Sequence, residues 1–316
     1  MQKTIIGICL ILFSIISVFV VTKINTIKKS QEEENIDNQV FDYSSDDYKD
    51  KSVTKITIDG QEYTLIKPVL NENIKLPLHM QYLKDTVSEN DLRLLMYLNN
   101  EILNMSKEID VSFFDLTEEK LAYIYNILAI HQLDISYTDS VSYSLNNGKI
   151  YKLFPAYRHT EADLGRYLYD VNDNINAIIS QIDRETMSDY EIVKTVHDYI
   201  IKNSRYVENI TSDDLYNILL YKTAKCEGYS KLFTYICNKF DIETILVVGN
   251  TYETHMWNMV NLDGKWYHID VTWDDLDEGV NEISYDYFLK SDNLIFKTHT
   301  TSDEFIYPNA LEDYND

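Results

Sequence analysis

The stretch ETHMWNMVNLDGKWYHIDVTW, residues 253–273, constrains the fold more than any other part of the chain. Asp263-Gly264 stands between two alternating runs. That pair suits a two-residue hairpin turn, which needs positive φ at both central positions. With those two residues as the turn, Leu262 pairs with Lys265, Trp257 faces Asp270 and His255 faces Thr272. Side chains alternate along a strand, so His255, Trp257, Asp270 and Thr272 share one face of the predicted sheet. His255 and Asp270 become diagonal neighbours, about 7–8 Å apart at the backbone and within side-chain reach. An Asp so placed fixes the tautomer of the ring and leaves the other nitrogen for a thiol.

A thiol is available. Residues 224–230 read AKCEGYS, and after Cys226 come Tyr229, Leu232, Phe233, Ile236, Cys237 and Phe240 at helical spacing. Cys226 therefore opens a helix. A helix amino terminus carries partial positive charge and unpaired N–H groups. Both favour a thiolate, the reactive form of cysteine, and the N–H groups can hold a developing oxyanion. Gly228 costs about 1 kcal/mol relative to Ala inside a helix, which a close backbone or substrate approach would explain. Gly228 and Trp257 are thus candidates for the wall of a site. The competing reading of Cys226 is a small buried hydrophobe, the reading that suits Cys237.

The order C-E-G-Y, H-x-W-N and W-Y-H-x-D-x-T-W-D resembles the transglutaminase-like superfamily, which includes papain-like cysteine proteases and bacterial secreted members. The later stretch ISYDYFLKSDNLIFKTH resembles the tail of bacterial members, and the resemblance spans roughly residues 185–300. It implies an α+β fold in which a helix bearing the cysteine packs on an antiparallel sheet bearing His and Asp. It also implies Cys226 as nucleophile, His255 as base and acid, and Asp270 as orienter, a set suited to acyl transfer at amide bonds. Members of the superfamily cross-link Gln to Lys, hydrolyse peptides or amides, or have lost activity. Hydrolysis is slightly favoured here, because a thioester in an open site meets water more often than a bound amine. The expected partner is a protein or peptide, cell-wall peptide included. No cofactor is expected, and no loop signature for calcium is visible. No side-chain oxyanion donor upstream of Cys226 can be read from the sequence.

Other features set the surroundings. The chain has 316 residues and a formal charge of −24, which excludes the basic face that nucleic acid requires. Residues 5–21, IIGICLILFSIISVFVV, are uncharged, with Lys3 before and Lys23 after. This length is the lower limit for a membrane-spanning helix, and no A-x-A cleavage pattern follows. Residues 1–27 are therefore expected to be a signal anchor or signal peptide, with the globular part outside the membrane or secreted. Residues 28–52 are polar and acidic, a predicted tether. Residues 53–150 form a mixed α/β amino-terminal region with a turn signal at Asp59-Gly60, and residues 151–316 form the domain carrying the chemistry. Cys226 and Cys237 lie on one helix, about 16 Å apart at 1.5 Å per residue, too far for a disulfide. His79, His131 and His197 read as structural, and residues 274–278, DDLDE, as a solvated loop.

Two rival readings remain at this level. His268-x-Asp270 with His299 fits a loose pattern for a non-haem iron site. Alternatively, the fold is a binding module whose triad is unused.

Overall fold

The computed structural model describes residues 5–10, 20–25, 51–58, 61–68, 76–133, 138–210, 215–276 and 283–315, the first four as strand courses only. The expected tether lies outside these residues up to position 50. Of the expected membrane segment, Ile5–Leu10 and the start of Val20–Asn25 are described, both as strands, while 11–19 lie outside. Among the described residues no helix is long and apolar enough to cross a membrane.

The sheet that positions the site has four antiparallel strands in the order Lys265–Ile269, Thr254–Leu262, Thr244–Asn250 and Thr300–Thr301. Its central hairpin has the predicted register, with Leu262 opposite Lys265 and Asn258 opposite Ile269. Asp263 and Gly264 turn it with φ of 53° and 80°, the left-handed pair that the sequence supplies. The second strand ends one residue earlier than the alternation suggests. Asp270 leaves the ladder and caps the short helix Val271–Asp274, so Thr272 is helical and does not pair with His255.

One glycine in this sheet is obligatory. Gly249 pairs with both His255 and Thr301. A Cβ there would sit 1.9 Å from the Thr300 carbonyl oxygen and 2.8 Å from the Trp257 ring.

The helix Cys226–Lys239 packs on this sheet, and Asp189–Asn203 packs on that helix. The predicted capping box of Ser188 and Glu191 is present at the start of Asp189–Asn203. The cysteine helix differs from the amphipathic expectation in being buried nearly all round, Lys231 included. The cover comes from the amino-terminal half. The helix Glu118–His131 presents the carbonyl of Ala129 to the Lys231 ammonium at 3.0 Å, and Glu227 pairs with the same ammonium at 2.7 Å. A buried charge is tolerable only with partners of this kind. His79 and His131 are core residues, as expected: the His79 ring donates to the His131 carbonyl at 3.1 Å, and burial lowers the His79 pKa to about 4.

A second antiparallel sheet has the strand order Val20–Asn25, Ile5–Leu10, Thr138–Asn146, Lys149–Tyr157 and Ile109–Asp110. Asn147 and Gly148 turn its hairpin with positive φ, and residue 150 lies within the strand Lys149–Tyr157. The strands Lys51–Ile58 and Gln61–Pro68 pair with Ile58 opposite Gln61, flanking the predicted turn, whose residues lie outside the described set.

Because the neighbour of that missing Cβ is backbone, Gly249→Ala is expected to destabilise the protein by about 1–3 kcal/mol or more, with urea unfolding as the measurement. An unchanged midpoint would contradict the strand pairing described for Thr300–Thr301.

Candidate active site

Asn258 anchors the cysteine helix to the strand Thr254–Leu262. Its amide donates to the Ser230 carbonyl at 3.1 Å, the Thr234 hydroxyl at 2.8 Å and the Ile245 carbonyl at 3.3 Å. Ser230 returns a hydrogen bond to the Met256 carbonyl at 2.9 Å. These bonds fix how far the helix has slid along the strand. One turn back from Ser230 to Cys226 is about 6 Å, at 1.5 Å per residue. His255 lies three residues back from Asn258 and one back from Met256, on average about 6.6 Å along the strand at 3.3 Å per residue. Cys226 therefore comes level with the beginning of the strand, where His255 stands.

Cys226 is the first residue of its helix and is 4% exposed. Cys226 and Cys237 are thiols, as their helical separation requires. Cys237 is fully buried, and burial pushes its thiol far above the ordinary value.

His255 and Asp270 meet as predicted. The His255 Nε2–H donates to Asp270 Oδ2 at 2.6 Å, so Nδ1 is the ring nitrogen not bonded to Asp270. Asp270 is completely buried. Its other oxygen accepts the backbone N–H groups of Thr272 at 3.0 Å and Trp273 at 3.1 Å. Burial raises the carboxyl pKa, but the His255 charge, with hydrogen bonds from His255 and His299, outweighs it and holds the group at about 2.

Two residues join the site beyond the predicted triad, His299, which the sequence offered only in the iron pattern, and Tyr206, which it did not reveal. His299 donates through Nε2 to the same Asp270 oxygen, at 2.9 Å. Tyr206 lies upstream of the cysteine on Arg205–Tyr206, a two-residue strand parallel to Thr223–Ala224, with Tyr206 opposite Ala224. Burial raises the Tyr206 pKa, and the charges of Cys226, Glu253 and Tyr252 raise it further. The phenol thus stays protonated. No local sequence signal marks Tyr206, and for His299 the H-x-D…H pattern gave the right partner in Asp270 but the wrong role.

Trp257 is fully buried, with its ring stacked 6.0 Å from His255 and its Nε1–H donated to His268 Nδ1 at 3.0 Å. It walls the imidazole and has no surface for substrate. Gly228 is buried in the first turn of the cysteine helix. At the mouth, Tyr252 is 85% exposed and its ring stacks 6.1 Å from Trp273, which also covers His255 at 6.0 Å.

The iron pattern is not assembled in the predicted form. His268 turns to Asp292 at 2.9 Å, and the cluster that forms is His255, Asp270 and His299. Its ring N–H groups and carboxylate satisfy one another as hydrogen bonds. The solvated-loop reading of 274–278 is also corrected for its first two residues. Asp274 is fully buried and accepts from His197 at 3.1 Å, and Asp275 accepts from the Tyr229 hydroxyl at 2.5 Å. Burial disfavours a charged His197 ring, yet hydrogen bonds to Asp198 and Asp274 outweigh that and raise its pKa. His197 is structural, as expected, because it ties the helix Asp189–Asn203 to the segment after Asp270.

A buried histidine–carboxylate pair on an antiparallel sheet, at the end where a helix opens on cysteine, defines an α+β protein of the papain-like and transglutaminase-like class. Residues 176–271 match the profile of the Transglutaminase-like superfamily, and this part of the chain is a transglutaminase-like core. Among curated proteins, the chain is similar to Kyphoscoliosis peptidase of Mus musculus, 29% identical over 122 residues. It is likewise similar to Kyphoscoliosis peptidase of Homo sapiens, 25% identical over 118 residues. These matches cover 33% and 31% of this chain, and 18% of each relative. A crystal structure of a TGase overlaps 53% of this chain and 50% of its own at 19% identity, with a TM-score of 0.30, too low to carry weight.

Asp270 also gives the site a pH signature. A carboxyl whose folded pKa is depressed from 3.8 to about 2 stabilises the fold above the unfolded value. That contribution is lost as pH falls through the folded value. Asp270→Asn is expected to cost about 3–5 kcal/mol at neutral pH, because it removes one partner of a buried pair. The gap from wild type should narrow as the pH of urea unfolding is lowered from 5 towards 2. A gap independent of pH would contradict the assignment.

Proposed function

We propose that the chain is a thiol-dependent acyl-transfer enzyme acting on amide bonds of a protein or peptide, with Cys226 as nucleophile, His255 as base and acid, and Asp270 as orienter. The observation that carries this reading is the 2.6 Å bond between His255 and Asp270, at the end of the sheet where Cys226 opens its helix. The Cys226 proton passes to His255 Nδ1, and the thiolate attacks the amide carbonyl. As the tetrahedral intermediate collapses, the C–N bond breaks, the imidazolium protonates the leaving amine, and a thioester remains on Sγ. Water, with His255 now taking its proton, releases the acid and restores the thiol. A second amine in place of water gives a cross-linked product. Hydrolysis is the favoured outcome, since a thioester meets water more often than a bound amine.

The helix amino terminus can bind the oxyanion through backbone N–H groups, and Tyr206 is the side-chain donor in this reading. The phenol is held protonated, and its strand pairs with Ala224, two residues before Cys226. The aromatic pair of Tyr252 and Trp273 at the mouth serves as a platform for the peptide. Cell-wall peptide is one acceptable substrate of this chemistry. The apolar segment at residues 5–21 serves in this proposal to hold the chain at a membrane or to direct its export, with the enzyme outside. A spanning helix and the strand course of Ile5–Leu10 are mutually exclusive states of the same residues.

The test is incubation with peptide mixtures containing Gln and Lys, with mass spectrometry reading both new carboxylates and amine incorporation. Wild type should release acid. Cys226→Ala should be inactive, and Tyr206→Phe should lose about 10²–10³ in kcat, the usual cost of one oxyanion donor. Amine incorporation outpacing acid release would overturn the hydrolytic preference, and turnover by Cys226→Ala would overturn the mechanism.

A further inference from the structure

The Asp270 carboxylate serves two imidazoles. Oδ2 accepts from His255 Nε2 at 2.6 Å and from His299 Nε2 at 2.9 Å, while Oδ1 accepts two backbone N–H groups. A hydrogen-bonding triad needs only the first of these four donors. His299 is 1% exposed, so its place is not set by solvent. Its other nitrogen lies 2.8 Å from the Thr298 hydroxyl, which is 3.3 Å from the Ile295 carbonyl. The Asp270 carboxylate can only accept, so it is this contact that requires the proton on His299 Nε2. The ring is held on its sides by Trp273 at 4.6 Å, Trp257 at 5.0 Å and Tyr287 at 5.5 Å. Its backbone is held too, because the next residues, Thr300 and Thr301, pair with Asn250 and Gly249 on the sheet edge.

We propose that His299 is a positioning residue of the site: it shares the Asp270 carboxylate with His255, dividing its charge between two rings and locking the oxygen at which His255 is oriented. The proposal rests on the acyl-transfer reading above. Its physical basis is that an oxygen accepting two N–H donors gives each a weaker bond than a sole donor would receive. The second donor also prevents the carboxylate from rotating away when His255 cycles between neutral and charged forms. Removing the donor while keeping the ring volume leaves the whole charge of that oxygen to His255. The thiolate–imidazolium pair then gains stability, and Cys226 becomes a thiolate at lower pH.

The experiment uses the full chain, labelled with ¹⁵N-histidine, as wild type, His299→Phe and His299→Gln. Imidazole N–H protons bonded to a buried carboxylate resonate far downfield. Wild type should show one such proton on His255 and one on His299. In His299→Phe the His255 proton should move further downfield. In the same variant the midpoint pH for alkylation of Cys226 by iodoacetamide should fall by about one unit, the scale of a lost charge-assisted donor. His299→Gln keeps an N–H donor of similar reach and should restore both readouts. A merely structural role would lower stability without moving either.

An unmoved His255 proton and midpoint in a folded His299→Phe would overturn the positioning role alone. Should that variant not fold, wild type still decides: a His299 ring without a low-field Nε2 proton overturns the proposal. Wild-type Cys226 alkylation that ignores His255→Ala would instead overturn the underlying reading, and the positioning role with it.

Discussion

The buried carboxylate of Asp270 is the constraint on which the site depends. An isolated charge in that position would be prohibitive, and four donors make it tolerable. The donors come from three parts of the local structure. His255 belongs to the neighbouring strand, Thr272 and Trp273 to the short helix that Asp270 caps, and His299 to the segment entering the edge strand. One ionised group thus determines where the hairpin ends, which way the helix leaves and how the tail is tied back. The same bonds hold His255 in a single tautomer, with Nε2 given to Asp270 and Nδ1 as the other ring nitrogen.

Around that carboxylate, buried polar groups set register where apolar packing alone would allow sliding. Asn258 fixes the cysteine helix along its strand through three acceptors. Lys231, with Glu227 and the Ala129 carbonyl, joins the same helix to the amino-terminal half. His197 joins the helix beneath it to Asp274. Apolar contacts are non-directional, whereas these bonds are lost if an element shifts by one residue. A thiol and an imidazole that must meet within hydrogen-bond reach need that kind of specification.

The features legible in the sequence were those carried by short-range rules. The turn at Asp263-Gly264 fixed the register that brings His255 against Asp270, and the capping box at Ser188 and Glu191 fixed a helix start. Cys226 at the head of an apolar stripe could be read because helix periodicity is local. Tyr206 could not, because a parallel strand pairing brings it beside Ala224, and His299 was legible only in the iron pattern, since its bond to Asp270 spans 29 residues. Lys231 was hidden for a related reason. A lysine on an otherwise amphipathic helix reads as solvent-facing until a second element is known to cover it. Asp274 misled in the same way, since an acidic run gives no local sign that one member has a buried histidine partner.

The measurement that bears most directly on the central claim is the alkylation rate of Cys226 and Cys237 against pH, read separately by mass spectrometry, in wild type and His255→Ala. An assembled thiol–imidazole pair predicts that Cys226 reacts well below the ordinary thiol pKa of about 8.5, that His255→Ala abolishes this, and that Cys237 stays inert. Cys226 titrating as an ordinary thiol, or reacting identically without His255, would contradict it.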